Sequence, residues 1–181
     1  MSIFSASNIT PILTAAEIQE KIRELGAQIT SDYADSDGEL VLICILKGSF
    51  VFTADLCRSI DLPLSVEFIG VSSYGNETKS SGIVRLTQDL STSIKGKNIL
   101  VVEDIVDTGL TMKYLMENLA TREPRSIRLV SLLEKPTKNT SGVEVDYLGF
   151  SIPDKFVIGF GLDFAGNYRN LPFVGVLESD G

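Results

Sequence analysis

The apolar run from Leu40 to Leu46 constrains the fold more than any other feature of this chain. A strand made of such a run is buried on both faces, which is typical of a parallel sheet covered by helices. Lys47-Gly48-Ser49 interrupts the run, and Phe50 to Ile60 then has the pattern of a helix. Strand, glycine turn and helix together begin a βαβ unit. We therefore predict an α/β protein with a mostly parallel central sheet flanked by helices.

The remaining segments extend this pattern. A helix is predicted over 14–33, where isoleucines and leucines recur at helical spacing and Thr14 with Glu17 fits a capping box. A further helix is predicted over 108–120. Further strands are predicted over 65–71, 98–102, 127–133, 145–150, 156–161 and 173–177.

Two regions depart from the alternating pattern. The polar stretch of about 72–93 is long for a compact domain, and it contains a short run, Ile83-Val84-Arg85-Leu86. We interpret it as a mobile flap with a short embedded strand, with a disordered loop as the alternative. The late strands, over about 143–181, are rich in Phe and Gly and are expected to contribute a small second lobe. The whole chain, 1–181, is expected to be one domain.

Charge and residue usage exclude several classes of function. There is no histidine, which excludes imidazole acid–base chemistry and histidine-based metal sites. The net charge of −8 argues against a nucleic-acid partner, and no apolar stretch approaches the ~20 residues of a membrane span. No Lys or Arg precedes Glu17, so a secretory signal is not expected, and Cys44 and Cys57 are expected to be reduced thiols. A cytoplasmic protein is the simplest interpretation.

The stretch from Ile99 to Thr111 carries the chemistry. A buried strand is expected to end at the acid pair Glu103-Asp104, and Asp107-Thr108-Gly109-Leu110-Thr111 then turns the chain into a helix. Ligands of open α/β sheets bind at the carboxyl ends of strands, and a helix N-terminus suits a phosphate. Two adjacent carboxylates favour a cation or a polyol nearby. The alternative is that Asp107 and Thr108 only cap the helix.

Val101 to Thr111 resembles the signature of type I phosphoribosyltransferases that binds 5-phosphoribosyl-1-pyrophosphate (PRPP). Leu46-Lys47-Gly48-Ser49 resembles the pyrophosphate loop of the hypoxanthine-guanine branch of that family, and Ser73-Tyr74-Gly75 the start of its flap. The segments Ile152–Gly159, Gly161–Phe164 and Tyr168-Arg169 resemble its purine pocket and pyrophosphate-contacting end. The resemblance covers nearly the whole chain.

The resemblance implies the type I phosphoribosyltransferase fold, with a small hood lobe and a mobile flap. It implies a Mg²⁺-dependent transfer of the 5-phosphoribosyl group from PRPP to a 6-oxopurine base, hypoxanthine or guanine. The products would be a purine nucleoside monophosphate and pyrophosphate, as in purine salvage. It also implies a homodimer or a homotetramer, and the residues leave open which of the two forms.

By the same resemblance, Glu103 and Asp104 hold the ribose hydroxyls directly or through Mg²⁺, and Asp107 accepts the proton of the purine N7. The 5-phosphate would be bound by the turn Asp107, Thr108, Gly109, Leu110 and Thr111. Pyrophosphate would contact Lys47, Gly48 and Arg169, with Asp163 on a second Mg²⁺. In relatives the peptide at Lys47-Gly48 is often cis.

The purine would stack on Phe156 and bind backbone groups of Val157, while Ser73 and Tyr74 close over the reaction centre. Simpler interpretations remain for each of these residues. Phe156 could be ordinary core, the flap residues could be surface polar groups, Lys47-Gly48 a plain strand-to-helix turn, and Asp163 with Arg169 an exposed ion pair.

Two positions depart from the family pattern. Glu144 stands where some relatives have a lysine that donates to the purine 6-oxygen, so either another group donates to that oxygen or the purine is recognised mostly by backbone groups. Lys135 and Lys155 are nearby in sequence, and the sequence places neither of them. Leu110 occupies a turn position that is often Lys in relatives, which a backbone-made phosphate loop tolerates. The ranking of hypoxanthine, guanine and xanthine is therefore open. Other functions considered are a PRPP sensor without activity, a receiver domain with Asp104 as phosphoacceptor, and a transferase for adenine or orotate.

Overall fold

The computed structural model describes residues 9–73 and 84–177 of the chain. Three helices are present in these ranges: α1 (Ala15–Tyr33), α2 (Phe50–Ser59) and α3 (Leu110–Ala120). The strands are β1 (Ile9–Leu13), β2 (Leu40–Leu46), β3 (Leu64–Ser73), β4 (Val84–Gln88), β5 (Asn98–Val106), β6 (Ser126–Glu134), β7 (Tyr147–Ser151), β8 (Val157–Ile158) and β9 (Val174–Leu177).

The large sheet has the strand order β4-β3-β2-β5-β6-β7. Every neighbouring pair is parallel except β3 with β4, which is antiparallel. The predicted α/β class with a mostly parallel central sheet is therefore confirmed. Strand β2 lies inside the sheet, and its residues 40–45 are all buried, as the unbroken apolar run predicted.

Each central strand supplies both faces of the sheet by alternation. Leu42 and Leu100 face the side covered by α1 and α2, whereas Ile43 and Val101 face the side covered by α3. Helix α1 begins with the predicted capping box, in which Glu17 N donates to Thr14 Oγ1 and Thr14 N to the Glu17 carboxylate. None of the helices in the described ranges is long and apolar enough to span a bilayer.

The end of β5 differs from the prediction. The strand was expected to stop at Val102, before the two acids, but it continues to Val106 because β6 runs alongside it. Glu103 pairs with Ser131 and Ile105 with Leu133 in the parallel register. The acid pair therefore lies within a strand whose backbone groups are satisfied by β6, and not in a loop.

Other boundaries also moved. Helix α3 begins at Leu110, two residues later than predicted, because Gly109 has φ +76° and closes the turn before it. Strand β7 starts at Tyr147, and β8 covers only 157–158 of the predicted 156–161. The late strands separate, since β7 joins the large sheet whereas β8 and β9 form a small antiparallel sheet with β1. The sequence had not indicated β1 as a strand.

The polar stretch 72–93 is described only in part. Strand β4 pairs antiparallel with β3, and it includes most of the predicted embedded strand. Residues 74–83, which contain Tyr74 and nearly half of the predicted flap, lie outside the described residues.

Candidate active site

The predicted site residues meet where β2, β5 and β6 end at one edge of the large sheet. This is the edge at which open α/β sheets place their ligands. Two adjoining cavities of about 250 Å³ each lie there. The first is lined by Glu103, Asp107, Thr108, Gly109 and Thr111 among others. The second is lined by Gly48, Asp104, Ile105, Asp107, Lys135, Phe156, Val157, Leu162, Asp163 and Arg169.

The acid pair at the end of β5 is half-buried. Ile105 N donates to Asp104 Oδ1 at 2.9 Å, whereas Glu103 Oε2 is shielded from solvent and has no hydrogen-bond partner among the described residues. Burial raises the pKa of Asp104 to about 6. Burial, together with the neighbouring Asp104 carboxylate, raises the pKa of Glu103 well above its ordinary value. Two adjacent, partly buried carboxyl groups of this kind favour either a bound proton or a cation nearby.

The chemistry of this pair fits a hard cation. Mg²⁺ binds one or two carboxylates and completes its shell with water and substrate phosphates. A shielded oxygen of Glu103 without a partner is the kind of ligand that such an ion would satisfy. The described residues contain no group of three or more acidic or sulfur ligands around one point, so the protein alone would supply only part of the shell.

The raised pKa of both acids predicts a pH dependence of stability. The folded protein retains protons that the unfolded chain releases above about pH 4, so the free energy of unfolding falls as the pH rises through the folded-state pKa of about 6. In EDTA and without substrate, we expect a higher Tm at about pH 5.5 than at about pH 7.5. Glu103→Gln should raise the Tm at the higher pH, by the equivalent of about 1–2 kcal/mol, and flatten this dependence.

Thermal unfolding followed by circular dichroism measures this effect. Asp37→Asn is the control, because Asp37 forms an exposed ion pair with Arg125 and should leave the pH slope unchanged. A Tm that is equal or higher at the higher pH, or a Glu103→Gln variant that loses stability there, would contradict the prediction.

The turn between β5 and α3 is shaped for an anion. The N-cap of α3 is Gly109, which has no side chain to cap the helix. Among the first N–H groups of the helix, Leu110 N makes a long bond of 3.4 Å to Thr108 Oγ1. A Cβ at Gly109 would lie 2.2 Å from Ser141 Oγ and 2.7 Å from Asn139 Oδ1, so only glycine fits against the loop that follows β6. Asp107 does not cap the helix, which removes the alternative interpretation of this residue. The free N–H groups of the first turn can bind a phosphate.

Asp107 and Lys135 form an ion pair within the second cavity. Lys135 Nζ lies 3.2 Å from Asp107 Oδ2. Lys135 is 6% exposed, and its backbone N donates to Val106 O at 2.9 Å, which fixes its position beside β5. Asp107 Oδ1 is buried and accepts no hydrogen bond from the described part of the chain. One carboxylate oxygen thus remains available to accept a proton from a ligand.

The structure separates Glu144, the position at which a lysine donor was expected in some relatives, from both cavities. Glu144 is exposed and precedes β7, and it does not line either cavity. Lys135 lies in the cavity instead. Counting residues back from Asp146-Tyr147 could not reveal this, because the loop between β6 and β7 folds back so that Thr140 N and Ser141 N donate to Thr108 O.

Phe156 forms an apolar wall of the second cavity. It is 56% exposed, so the interpretation of this ring as ordinary core is wrong. Its ring meets that of Phe164 edge to face, with centroids 5.7 Å apart and planes at 81°. The adjacent Val157 is buried at the start of β8 and also lines this cavity. A planar ring could stack on the free face of Phe156.

Asp163 and Arg169 form a half-buried ion pair among the residues that line the second cavity. Arg169 Nη2 lies 2.6 Å from Asp163 Oδ1, and Arg169 Nη1 donates to Gly161 O at 2.6 Å. Asp163 Oδ2 accepts from Gly166 N at 2.7 Å. The ion pair expected by the simpler interpretation therefore exists, but it lines the cavity. The two interpretations are compatible.

The turn after β2 reaches the same cavity from the other side. The cis peptide is Leu46–Lys47, one bond earlier than the one expected in relatives. Gly48 packs directly against the Asp104 carboxylate, since a Cβ there would lie 1.6 Å from Asp104 Oδ2. Lys47 and Arg169 also line a third cleft of about 440 Å³ beside β3 and β4.

The structure does not place every predicted residue at this site, and it adds lining residues for which the sequence had predicted no role. Ser73 ends β3 and Tyr74 falls outside the described residues, so neither closing role is tested. Leu110 is exposed at the first turn of α3. Ile105 and Leu162 line the second cavity, and although both fall within segments that resemble the family, neither was given a role from the sequence. Ile105 lies two residues after Glu103, so alternation along a strand predicts that both face the same side. This inference requires that β5 continues past Glu103, which the sequence pattern had not indicated.

A larger cleft of about 470 Å³ lies at the other end of the sheet, near the start of β2. Its buried amide, Asn98, is fully engaged: Nδ2 donates to Asp37 O at 2.9 Å and Oδ1 accepts from Ser126 Oγ at 2.8 Å. These bonds fasten the loop between α1 and β2. The chemistry-bearing side chains are at the opposite end of the sheet.

Comparisons with known proteins agree with this arrangement. The family model for the phosphoribosyl transferase domain matches residues 9–165. The chain is 55% identical over 172 residues to the hypoxanthine-guanine phosphoribosyltransferase of Dictyostelium discoideum, covering 93% of this chain and 95% of that protein. It is 48% identical over 167 residues to the hypoxanthine-guanine phosphoribosyltransferase of Bacillus subtilis, covering 92% of each. A crystal structure of a hypoxanthine phosphoribosyltransferase from Staphylococcus aureus matches with a TM-score of 0.92 and 44% identity, covering 98% of this chain and 95% of that one. The fold, the cavity and these matches together show that the chain belongs to the phosphoribosyltransferase family, in its hypoxanthine-guanine branch.

Proposed function

We propose that this protein is a purine-salvage transferase that moves the 5-phosphoribosyl group of PRPP to hypoxanthine or guanine. The observation that carries this proposal is the Asp107–Lys135 pair, set in a cavity with Phe156 on one wall and the phosphate turn beside it. The cavity thus combines a proton acceptor, a proton donor and an aromatic face. This combination suits a planar base that has both acidic and basic edges.

In the reaction, the bond between the ribose C1 and the pyrophosphate oxygen breaks and a bond from C1 to the purine N9 forms. Pyrophosphate leaves with the bonding electron pair. As N9 attacks, the proton of N7 moves to Asp107, whose Oδ1 has no other partner among the described residues. The free N–H groups at the N-terminus of α3 and the hydroxyls of Thr108 and Thr111 hold the 5-phosphate.

Lys135 is the donor to the purine 6-oxygen. Its ammonium is buried beside Asp107, and a ring stacked on Phe156 would present its six-membered edge toward it. A 6-oxo group accepts from the ammonium, whereas the 6-amino group of adenine would place a donor against a donor. This preference favours 6-oxopurines by the cost of leaving a buried polar group unpaired.

Glu103 and Asp104 are the residues that would hold Mg²⁺ with the ribose hydroxyls, and Asp163 would hold a second ion on the pyrophosphate side. Bound Mg²⁺ neutralises the phosphate charge as the leaving group departs. Arg169 pairs with pyrophosphate, and the turn at Lys47-Gly48 offers a backbone N–H to it. Ser73 and Tyr74 close over the reaction centre and exclude water from the ribose C1. The active form is a homodimer or homotetramer in the cytoplasm.

The test is turnover of the purified protein with PRPP and Mg²⁺, offering hypoxanthine, guanine, xanthine and adenine separately. Nucleotide formation and pyrophosphate release are followed together, with an EDTA control. We expect turnover with one or both of hypoxanthine and guanine, loss of turnover in EDTA and little reaction with adenine. Measurable PRPP binding without turnover of any base would overturn the proposal and favour a PRPP sensor.

A further inference from the structure

Asp154 contacts two lysines beside the purine-side cavity without lining it. Asp154 Oδ1 lies 3.0 Å from Lys138 Nζ and 3.6 Å from Lys135 Nζ. Lys135 in turn reaches Asp107 at 3.2 Å. The four side chains form a row of alternating charge, from the exposed Lys138 through Asp154 and Lys135 to Asp107.

The members of this row differ in exposure. The side chains of Lys138 and Asp154 are 43% and 47% exposed, so their own ion pair stabilises the fold little. The side chain of Lys135 is 8% exposed, and a buried ammonium needs acceptors to replace lost water. In the described part of the chain its carboxylate neighbours are Asp107 and Asp154. Asp154, with its Oδ1 at 3.6 Å from the ammonium, is therefore the carboxylate that still balances its charge when a ligand engages Asp107.

The same contacts join the two turns that build the purine side of the cavity. Lys135 and Lys138 lie on the turn after β6, which is closed by Lys138 N donating to Lys135 O at 2.9 Å. Asp154 lies on the turn before Phe156, where Lys155 N donates to Pro153 O at 2.7 Å. An ion pair from one turn to the other fixes how far the Lys135 ammonium stands from the ring of Phe156.

We infer that Asp154 is a positioning residue for recognition of the purine 6-oxygen, acting through Lys135 and assisted by Lys138. The inference rests on the proposed function, in which Lys135 donates to that oxygen. Without the Asp154 carboxylate, Lys135 keeps one carboxylate neighbour among the described residues and is drawn toward it, which is Asp107. The Lys135 ammonium then lies farther from the position that the purine 6-oxygen would occupy. It also holds the carboxylate of Asp107, the proposed proton acceptor, more tightly.

A double-mutant cycle tests this inference. Asp154→Asn should raise the KM for hypoxanthine about tenfold and leave the KM for PRPP within about twofold. In a Lys135→Met background, which itself raises the KM for hypoxanthine, Asp154→Asn should have no further effect. Asp154→Glu keeps the carboxylate and should recover most of the lost affinity. A residue that only stabilises the fold would lower the Tm without this selective change in KM.

Two further variants keep the test decisive. Lys138→Met, on the exposed side of the row, should raise the same KM about twofold, and only when Lys135 is present. Asp37→Asn, in an exposed ion pair at the other end of the sheet, should change neither KM. Equal effects of Asp154→Asn with and without Lys135, or no effect at all, would overturn the inference. Failure of the proposed function would instead appear as no turnover of any 6-oxopurine by the unsubstituted protein.

Discussion

Replacing Asp107 with asparagine is expected to lower kcat for hypoxanthine by about 10²–10⁴-fold, the range typical of a lost general base. The amide has the size of the carboxylate but cannot take the N7 proton. It also leaves the buried Lys135 ammonium without the partner that lies 3.2 Å away. The KM for PRPP should change by less than about threefold, because the backbone N–H groups that we propose to bind the 5-phosphate remain in place.

Steady-state kinetics with each substrate varied in turn measures this effect, and Asp37→Asn serves as the matched control. The same substitution there removes an exposed ion pair with Arg125 at the far end of the sheet, so kcat should be unchanged. If Asp107→Asn kept most of the activity, another group would have to accept the N7 proton. If both KM values rose and kcat did not fall, Asp107 would serve only to bind substrate.

Introducing a single methyl group at Gly48 is expected to lower kcat/KM for PRPP by about 10²-fold or more. A Cβ there would lie 1.6 Å from Asp104 Oδ2 and 2.5 Å from Asp104 Cγ. The carboxylate is the atom group that can move, so Asp104 should rotate out of its position and lose its bond from Ile105 N. A displacement of about 1 Å in a positioning group can cost about 10²-fold in rate.

The control for Gly48→Ala is Gly96→Ala. Gly96 has φ +71° and open space around its Cβ direction, so alanine there introduces backbone strain without a clash. That variant should lose stability, by about 1 kcal/mol, but retain the full kcat/KM. Gly48→Ala should show the opposite pattern, with a modest change in Tm and a large loss of activity. Full activity in Gly48→Ala would show that Asp104 does not need its observed position.

The elements that the sequence predicted well are those whose signals are local. The apolar run of β2, the capping box of α1 and the Asp-Thr-Gly turn before α3 each depend on neighbouring residues, and each lies where it was expected. The acid pair and Asp107 were identified for the same reason. Strand and turn chemistry are encoded within a few residues, and parallel strands then bring their carboxyl ends to one edge of the sheet.

Errors arose where the partner was distant in sequence. Strand β5 was ended too early because the β6 backbone that extends it was not visible in the local pattern. Strand β1 was missed because its partner is β9, more than 160 residues away along the chain. Lys135 and Lys155 could not be placed relative to the site, because counting along an irregular loop does not locate a side chain in space.

The sequence by itself determined the fold class, the acid pair and the Asp-Thr-Gly turn, since short-range patterns specify each of them. The role of Asp107 as proton acceptor was implied by the family resemblance and stays a prediction. The tertiary structure decided the rest. It places the buried Lys135 cation beside Asp107, and it leaves room only for glycine at position 48, against the Asp104 carboxylate. It also brings Asp154 close to Lys135, which links the turns that carry Lys135 and Phe156. Those relations depend on distances between segments far apart in the chain. Only packing of the sheet and its loops sets such distances.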